Sequence, residues 1–186
     1  MFLSHAKQFL FLMALLLAGS SSVSASDLTV YAGGLVPGKI TLDNARTALD
    51  GSPVVGLRFA NNIARVIGFE HTLAYSPDFL RPAGSSSNQD VKGLIYNSNL
   101  VLNVPVNGVT PYITFGLGLI APFGSDALLL FRTKFAVNYG GGIKFHNLAG
   151  PLGVRFDARG YTATNVISRN LHIFELSGGL FFSFGP

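Results

Sequence analysis

Residues 153–161 read "GVRFDARGY", and the alternation is strict: Arg155, Asp157 and Arg159 interleave with Val154, Phe156 and Ala158. Successive side chains of a β-strand point to opposite faces, so a strand here carries one ionic face and one apolar face. The pattern recurs elsewhere. Val109, Pro111, Ile113, Phe115, Leu117 and Leu119 oppose Thr110, Tyr112, Thr114, Gly116 and Gly118. Phe131, Phe135, Val137, Tyr139, Ile143 and Phe145 oppose Lys134, Asn138, Gly140, Gly142 and Lys144. Phe174, Leu176, Leu180, Phe182 and Phe184 oppose Glu175, Ser177, Gly179 and Ser183. Each such strand separates two environments, and the question is which face is interior.

Eight strand-like segments run through the chain, at about 28–36, 53–60, 63–75, 91–104, 109–120, 129–145, 151–162 and 170–184. None has a helical period. The connections after the first, third, fifth and seventh run about 16, 15, 8 and 7 residues. Those after the second, fourth and sixth are tight: "NN" at 61–62, "PVNG" at 105–108 and "HNLAG" at 146–150. Tight turns on one side and longer connections on the other are the layout of an outer-membrane barrel.

Composition decides the faces. Only 12% of residues are charged, about half the share of a soluble domain, yet mean hydropathy is +0.42. The large apolar residues are too many for the interior of an eight-stranded barrel, which only just holds side chains. The glycine, serine and charged face suits that narrow space. The apolar face is therefore expected to meet lipid, and closure removes the edges that lipid cannot satisfy. Aromatics are expected in two girdles: Phe59, Phe145, Phe182 and Phe184 at the periplasmic ends, and Tyr75, Tyr96 and Phe131 at the outer ends.

Ahead of the first strand, residues 1–25 combine Lys7, an apolar stretch at 9–18 and a small-residue ending, Val23-Ser24-Ala25. That is the layout of a secretory signal peptide, and its apolar run is too short for a membrane-spanning helix. The expected organisation is a signal peptide at 1–25 and a single barrel domain at 26–186. A formal charge of +4 without a basic cluster gives no reason to expect nucleic acid as a partner. With no cysteine there is no disulfide or thiol chemistry.

The stretches "GFEHTLAYSP" (68–77), "PYITFGLGL" (111–119), "NYGGGIKF" (138–145) and "GVRFDARGY" (153–161), with the eight-segment layout, resemble the outer-membrane protein beta-barrel family of Gram-negative bacteria. These are small barrels similar to the membrane domain of outer membrane protein A. The resemblance implies an all-β fold: an eight-stranded antiparallel up-and-down transmembrane β-barrel with periplasmic termini. It also implies contact with outer-membrane lipid, lipopolysaccharide and the barrel assembly machinery.

Eight ionisable residues are expected in the lumen: Arg58, Glu70, Lys134, Lys144, Arg155, Asp157, Arg159 and Glu175. Unpaired charges there are costly, so an ion-pair network is predicted, with Glu175 on Arg155 or Arg159 and Glu70 on Arg58. Its expected role is a plug. The alternatives are a small passive channel and a lipid-modifying enzyme. Ser168, His172 and Glu175 resemble triad material, but His172 and Glu175 are three apart in one strand and face opposite sides. The His-x-Ser pattern of lipid A deacylases is missing. The histidines have no metal-ligand spacing, and neither a cofactor nor a metal is expected. An exported soluble barrel of lipocalin type conflicts with the outward Phe, Leu and Ile face. The functional burden falls on the outer connections, where Lys39, Arg46, Arg81 and Arg169 are candidate contacts for lipopolysaccharide phosphates. His71 does not fit: with Glu70 in the lumen, it must face lipid.

Overall fold

The computed structural model describes residues 25–38, 40–42, 45–47, 50–64, 66–79, 91–124, 133–166 and 169–184. Residues 1–24 of the expected signal peptide, Phe131, Ser168 and the loop cations Lys39 and Arg81 lie outside the described residues, and Ala25 opens the first strand. The strands are β1 (Ala25–Pro37), β2 (Ile40–Leu42), β3 (Ala45–Thr47), β4 (Ser52–Asn62), β5 (Ile67–Ser76), β6 (Val91–Asn103), β7 (Val109–Gly124), β8 (Lys134–Ala149), β9 (Leu152–Val166) and β10 (Arg169–Phe184). Eight of them close a barrel in the order β1-β10-β9-β8-β7-β6-β5-β4. Every pairing is antiparallel, and β1 joins both β10 and β4. Closure leaves every barrel strand with two partners, which is what a sheet in hydrocarbon requires. The barrel strands are 10 to 16 residues long, enough to cross a bilayer at a tilt.

Alternation sets the faces as expected. Phe115, Phe156 and Leu176 are 57–59% exposed on the outer wall, whereas Arg155 and Glu175 are fully buried. An exterior of exposed Leu, Val, Ile and Phe is the surface that lipid covers.

Local chemistry places the turns. In the β6–β7 connection Asn107 (φ 45°) and Gly108 (φ 82°) both adopt the left-handed conformation. Val106 and Val109 exchange both backbone hydrogen bonds across them. This is the Asn-Gly hairpin whose twist matches that of the strands. The first tight turn differs from expectation. Asn61 and Asn62 are strand residues paired with Phe69 and Gly68, and the chain turns at 63–66. The third turns at Gly150-Pro151 after a bulge in the β8–β9 ladder.

Two outer connections also depart from the reading above. The first contains an unexpected hairpin, β2–β3. The fourth is nearly absent, because β9 and β10 pair as far as Val166 and Arg169. β9 runs on to Val166 and β10 starts at Arg169, both within residues assigned to a loop.

The interior is not polar throughout. A buried cluster that includes Leu35, Val54, Ala74, Phe79, Ile95, Ile120, Ala136, Ala163, Leu171 and Ile173 fills the outer half of the lumen. Apart from Phe79, these residues share the inward parity of their strands with the charged and polar ones. The lumen face therefore changes chemistry with depth, which a parity argument does not detect.

Candidate functional site

The centre of the lumen holds six charged side chains, three cations and three anions, from four strands. Arg58 comes from β4, Glu70 from β5, Arg155, Asp157 and Arg159 from β9, and Glu175 from β10. All six are at most 4% exposed. Asp157 is the hub. It accepts from Arg58 Nη1 at 2.8 Å, from Arg155 Nη2 at 2.7 Å and Nε at 2.9 Å, and from Arg159 Nη2 at 2.9 Å. The Tyr112 hydroxyl donates to the same carboxylate and accepts from Arg155 Nη2 at 2.6 Å. Glu70 bridges Arg155 Nη1 (2.8 Å) and Arg159 Nη2 (2.6 Å). Glu175 accepts from Arg58 Nη2, from the Tyr161 hydroxyl at 2.7 Å and from Ser177 Oγ at 2.7 Å. The Tyr31 ring covers the Arg58 guanidinium at 3.6 Å.

The residues come together, but the predicted pairings are reversed. Glu175 pairs with Arg58, not with Arg155 or Arg159; Glu70 pairs with Arg155 and Arg159, not with Arg58. The expected partners are on adjacent strands, and Glu175 is even the register partner of Arg159. In so narrow a barrel a guanidinium reaches the far wall as readily as the neighbouring strand. Arg58 on β4 crosses to β9 and β10, and Arg155 and Arg159 on β9 cross to β5.

Lys144 belongs to a separate pair toward the terminus-bearing end. Its Nζ lies 2.7 Å from Asp27 Oδ2, and Ser183 donates to the other oxygen at 2.6 Å. The ring of His146 packs edge-on against Phe181, and its Nε2 lies 3.0 Å from Thr110 Oγ1. Asp27 was missed in the sequence because the first segment was started one residue too late; the parity of Thr29 and Tyr31 extends straight back to it. Lys134 stands at the outer end of β8, half-exposed, rather than in the buried set. Beside the ionic layer, Asn138 Nδ2 donates to Asn97 Oδ1 at 3.2 Å, and the side-chain oxygen of Asn99 accepts from Thr114 Oγ1 at 3.0 Å and from Arg159 Nη1 at 3.1 Å.

On the outer wall, Phe59 stacks on Phe184 (6.2 Å), Phe182 on Phe184 (6.3 Å), and Phe145 meets Phe156 edge-on (6.5 Å). Tyr75 packs on Phe123 (6.3 Å) toward the other end. Tyr96 is mid-strand, and it accounts for His71. The two rings stack at 6.3 Å, and His71 Nδ1 lies 3.1 Å from the Tyr96 hydroxyl. The polar atoms of each thus serve the other on a surface where water is absent. Near the outer end, His172 is exposed and its Nδ1 lies 3.0 Å from Thr162 Oγ1, while Glu175 points inward.

A closed eight-stranded barrel with an apolar exterior and an ion-paired lumen defines an integral outer-membrane protein. Residues 9–180 match the outer membrane protein beta-barrel domain, and the chain belongs to that family of the bacterial outer membrane. Solved structures agree in fold. Neisserial surface protein A superposes with a TM-score of 0.64 at 12% identity, over 87% of this chain and 97% of that one. The N-terminal β-barrel domain of Pseudomonas aeruginosa OprF gives 0.57 at 10% identity, over 87% and 98%. Ail, the attachment invasion locus protein of Yersinia pestis, gives 0.55 at 15% identity, over 87% and 99%. No curated protein matches the chain.

Proposed function

We propose that this barrel is a sealed, non-conducting membrane anchor that presents its outer connections to the cell's surroundings. The observation that carries this reading is the filling of the lumen. An apolar layer, a six-charge layer and the Lys144–Asp27 pair follow one another along the bore, and Arg58, Arg155 and Arg159 are fully buried. Eight strands leave room for side chains and no aqueous path. The partners implied are outer-membrane lipid, including lipopolysaccharide, and the machinery that inserts such barrels. The fold-related Ail is an attachment protein by name and has been crystallised with the heparin analogue sucrose octasulfate; the outer connections of this chain are proposed to work in the same way, by surface contact. A lipid-modifying role draws no support from His172 and Glu175, which lie on opposite sides of the wall.

Single-channel recording in planar bilayers tests the reading. The refolded protein is expected to give a flat baseline at applied potentials where porins conduct. Discrete, reproducible conductance steps would refute the seal and support the passive-channel alternative.

A further inference from the structure

The outer wall carries a groove of about 820 Å³, lined almost wholly by apolar atoms. Its course follows the strand register. Leu180, Val30, Leu57 and Leu73 are successive register partners on β10, β1, β4 and β5, and they form one bank. The other bank starts at Phe156 on β9 and ends at Tyr75 on β5 and Leu94 on β6. Between the banks the floor is backbone, because Arg155, Tyr31 and Ala74 turn their side chains into the lumen. The second bank is broken at Gly178 and Ala32, which are register partners of each other between Phe156 and Val55. Packing does not require glycine at this break. A Cβ at Gly178 would come no closer than 3.4 Å to the Phe156 ring, whereas one at the inward Gly33, Gly140 or Gly142 would lie 2.2 or 2.3 Å from a backbone oxygen. On a wall otherwise built of Leu, Val and Phe, the missing side chain keeps the groove open.

The groove crosses six of the eight wall strands, from β6 to β9 by way of β5, β4, β1 and β10. At a strand spacing of about 4.8 Å this is a path of about 24 Å, longer than the depth of one leaflet, about 15 Å. It descends as it winds. Leu94 is near the outer end of β6, and Val154 and Phe156 are near the terminus-bearing end of β9. A rigid helix or a second barrel touches a convex cylinder along one narrow strip; a path that wraps most of the wall is followed only by a flexible chain. Apolar surfaces in hydrocarbon are not driven together by water, so close packing must hold such a chain, and a groove offers contacts on three sides. The outer end adds charge. Lys92, one step beyond Leu94 on the same face of β6, is half-exposed and makes no ion pair with any described residue.

We infer that the groove holds one acyl chain of a phosphate-bearing lipid of the outer leaflet, with the phosphate on Lys92 and the chain laid over Ala32 and Gly178. This lipid is a retained partner, distinct from the exchanging lipid around the rest of the wall. The site is on the outside of the barrel and does not depend on the seal of the bore.

The full barrel, refolded in detergent micelles, is titrated with dimyristoylphosphatidylglycerol, and native mass spectrometry counts the lipid kept after the micelle is stripped away. Migration on unheated gels first establishes that each variant is folded. Native protein is expected to keep one lipid, and Gly178→Leu, which fills the groove, to keep about tenfold less. Val137→Phe adds apolar bulk on β8, away from the groove, and is expected to match native. Lys92→Gln is expected to lower retention of the phosphatidylglycerol about fivefold and to leave retention of neutral dimyristoylglycerol unchanged. Equal retention by native and Gly178→Leu overturns the proposal, as does an equal loss in Val137→Phe or a Lys92→Gln barrel that keeps both lipids as native does. A barrel dimer that Gly178→Leu dissociates, with no lipid kept by the native protein, assigns the face to a second copy and also overturns it. If Gly178→Leu does not fold, Ala32→Leu takes its place under the same criteria. Conductance reads the bore and lipid retention reads the wall, so failure of the seal and failure of the lipid site are told apart.

Discussion

Arg58 is the residue whose loss the lumen tolerates least. It is fully buried, and its guanidinium contacts Asp157 at 2.8 Å, Glu175, Ser177 at 3.1 Å and the Tyr31 ring. Arg58→Met keeps most of the side-chain volume and removes the charge. Glu175 then keeps only the hydroxyls of Tyr161 and Ser177, and Asp157 keeps two guanidiniums instead of three. Three cations facing three anions become two facing three. Removing one partner of a buried pair costs about 3–5 kcal/mol, because the carboxylate left behind has already lost its water. Arg58→Met/Glu175→Gln restores the balance at two against two, and the amide can still accept from Tyr161. Replacing a whole buried pair by neutral groups of similar volume is often neutral or stabilising. The double variant is therefore expected to recover about 2 kcal/mol or more relative to Arg58→Met alone. The chain has no tryptophan, so urea unfolding in lipid vesicles is best followed by the folded band on unheated gels and by circular dichroism. A single variant within about 1 kcal/mol of native, or a double variant whose loss is the sum of the two singles, would refute the idea that charge balance in this layer governs stability.

Two further perturbations test the wall. A Cβ at Gly142 would lie 2.2 Å from the Phe156 carbonyl oxygen and 2.4 Å from the Tyr112 hydroxyl, whereas a Cβ at Gly34 meets nothing within 4 Å. Gly142→Val should abolish the heat-modifiable band or cost more than about 2 kcal/mol through overpacking, and Gly34→Ala should match native; equal behaviour would show that the inward glycines are not making room for the network. On the lipid face, Tyr96→Phe should lower unfolding stability by about 1–2 kcal/mol because His71 loses its partner, and His71→Leu/Tyr96→Phe should be at least as stable as native. A double variant weaker than Tyr96→Phe would show that the pair does more than satisfy its own polar atoms.

The barrel was legible in the sequence because a single period carries it. Runs such as Thr110–Gly118 on one parity and Val109–Leu119 on the other hold a strict alternation, and lipid outside a narrow bore makes the assignment of faces unambiguous. Strand ends were less legible. Asn61-Asn62 looks like a turn by residue type, yet both are paired across β4–β5, because the closing barrel demands length there and the chain can turn just as well at 63–66. The lumen residues themselves were largely visible by parity, but their partners were not. Parity says that Glu175 faces inward; it does not say how far across a closed cylinder Arg58 reaches. Phe79 was invisible for a related reason: it is outside every alternating run, and nothing local marks a turn residue that folds back into the bore.

The same geometry explains why the lumen is layered rather than uniformly polar. Lipid surrounds the wall and apolar side chains fill the outer half of the bore, so bulk water does not screen the ionic layer from either direction. Neutrality must then be met locally, and it is: Arg58, Arg155 and Arg159 balance Glu70, Asp157 and Glu175, and Lys144 balances Asp27 in its own layer. Moving any one of these charges two residues along its strand would preserve the alternation and carry it into the apolar cluster or the neighbouring layer. Alternation makes a chain like this a barrel. The depth at which each charge falls on its strand decides whether the bore closes on itself, and that depth is set jointly by the register of strands that meet only after the cylinder has formed.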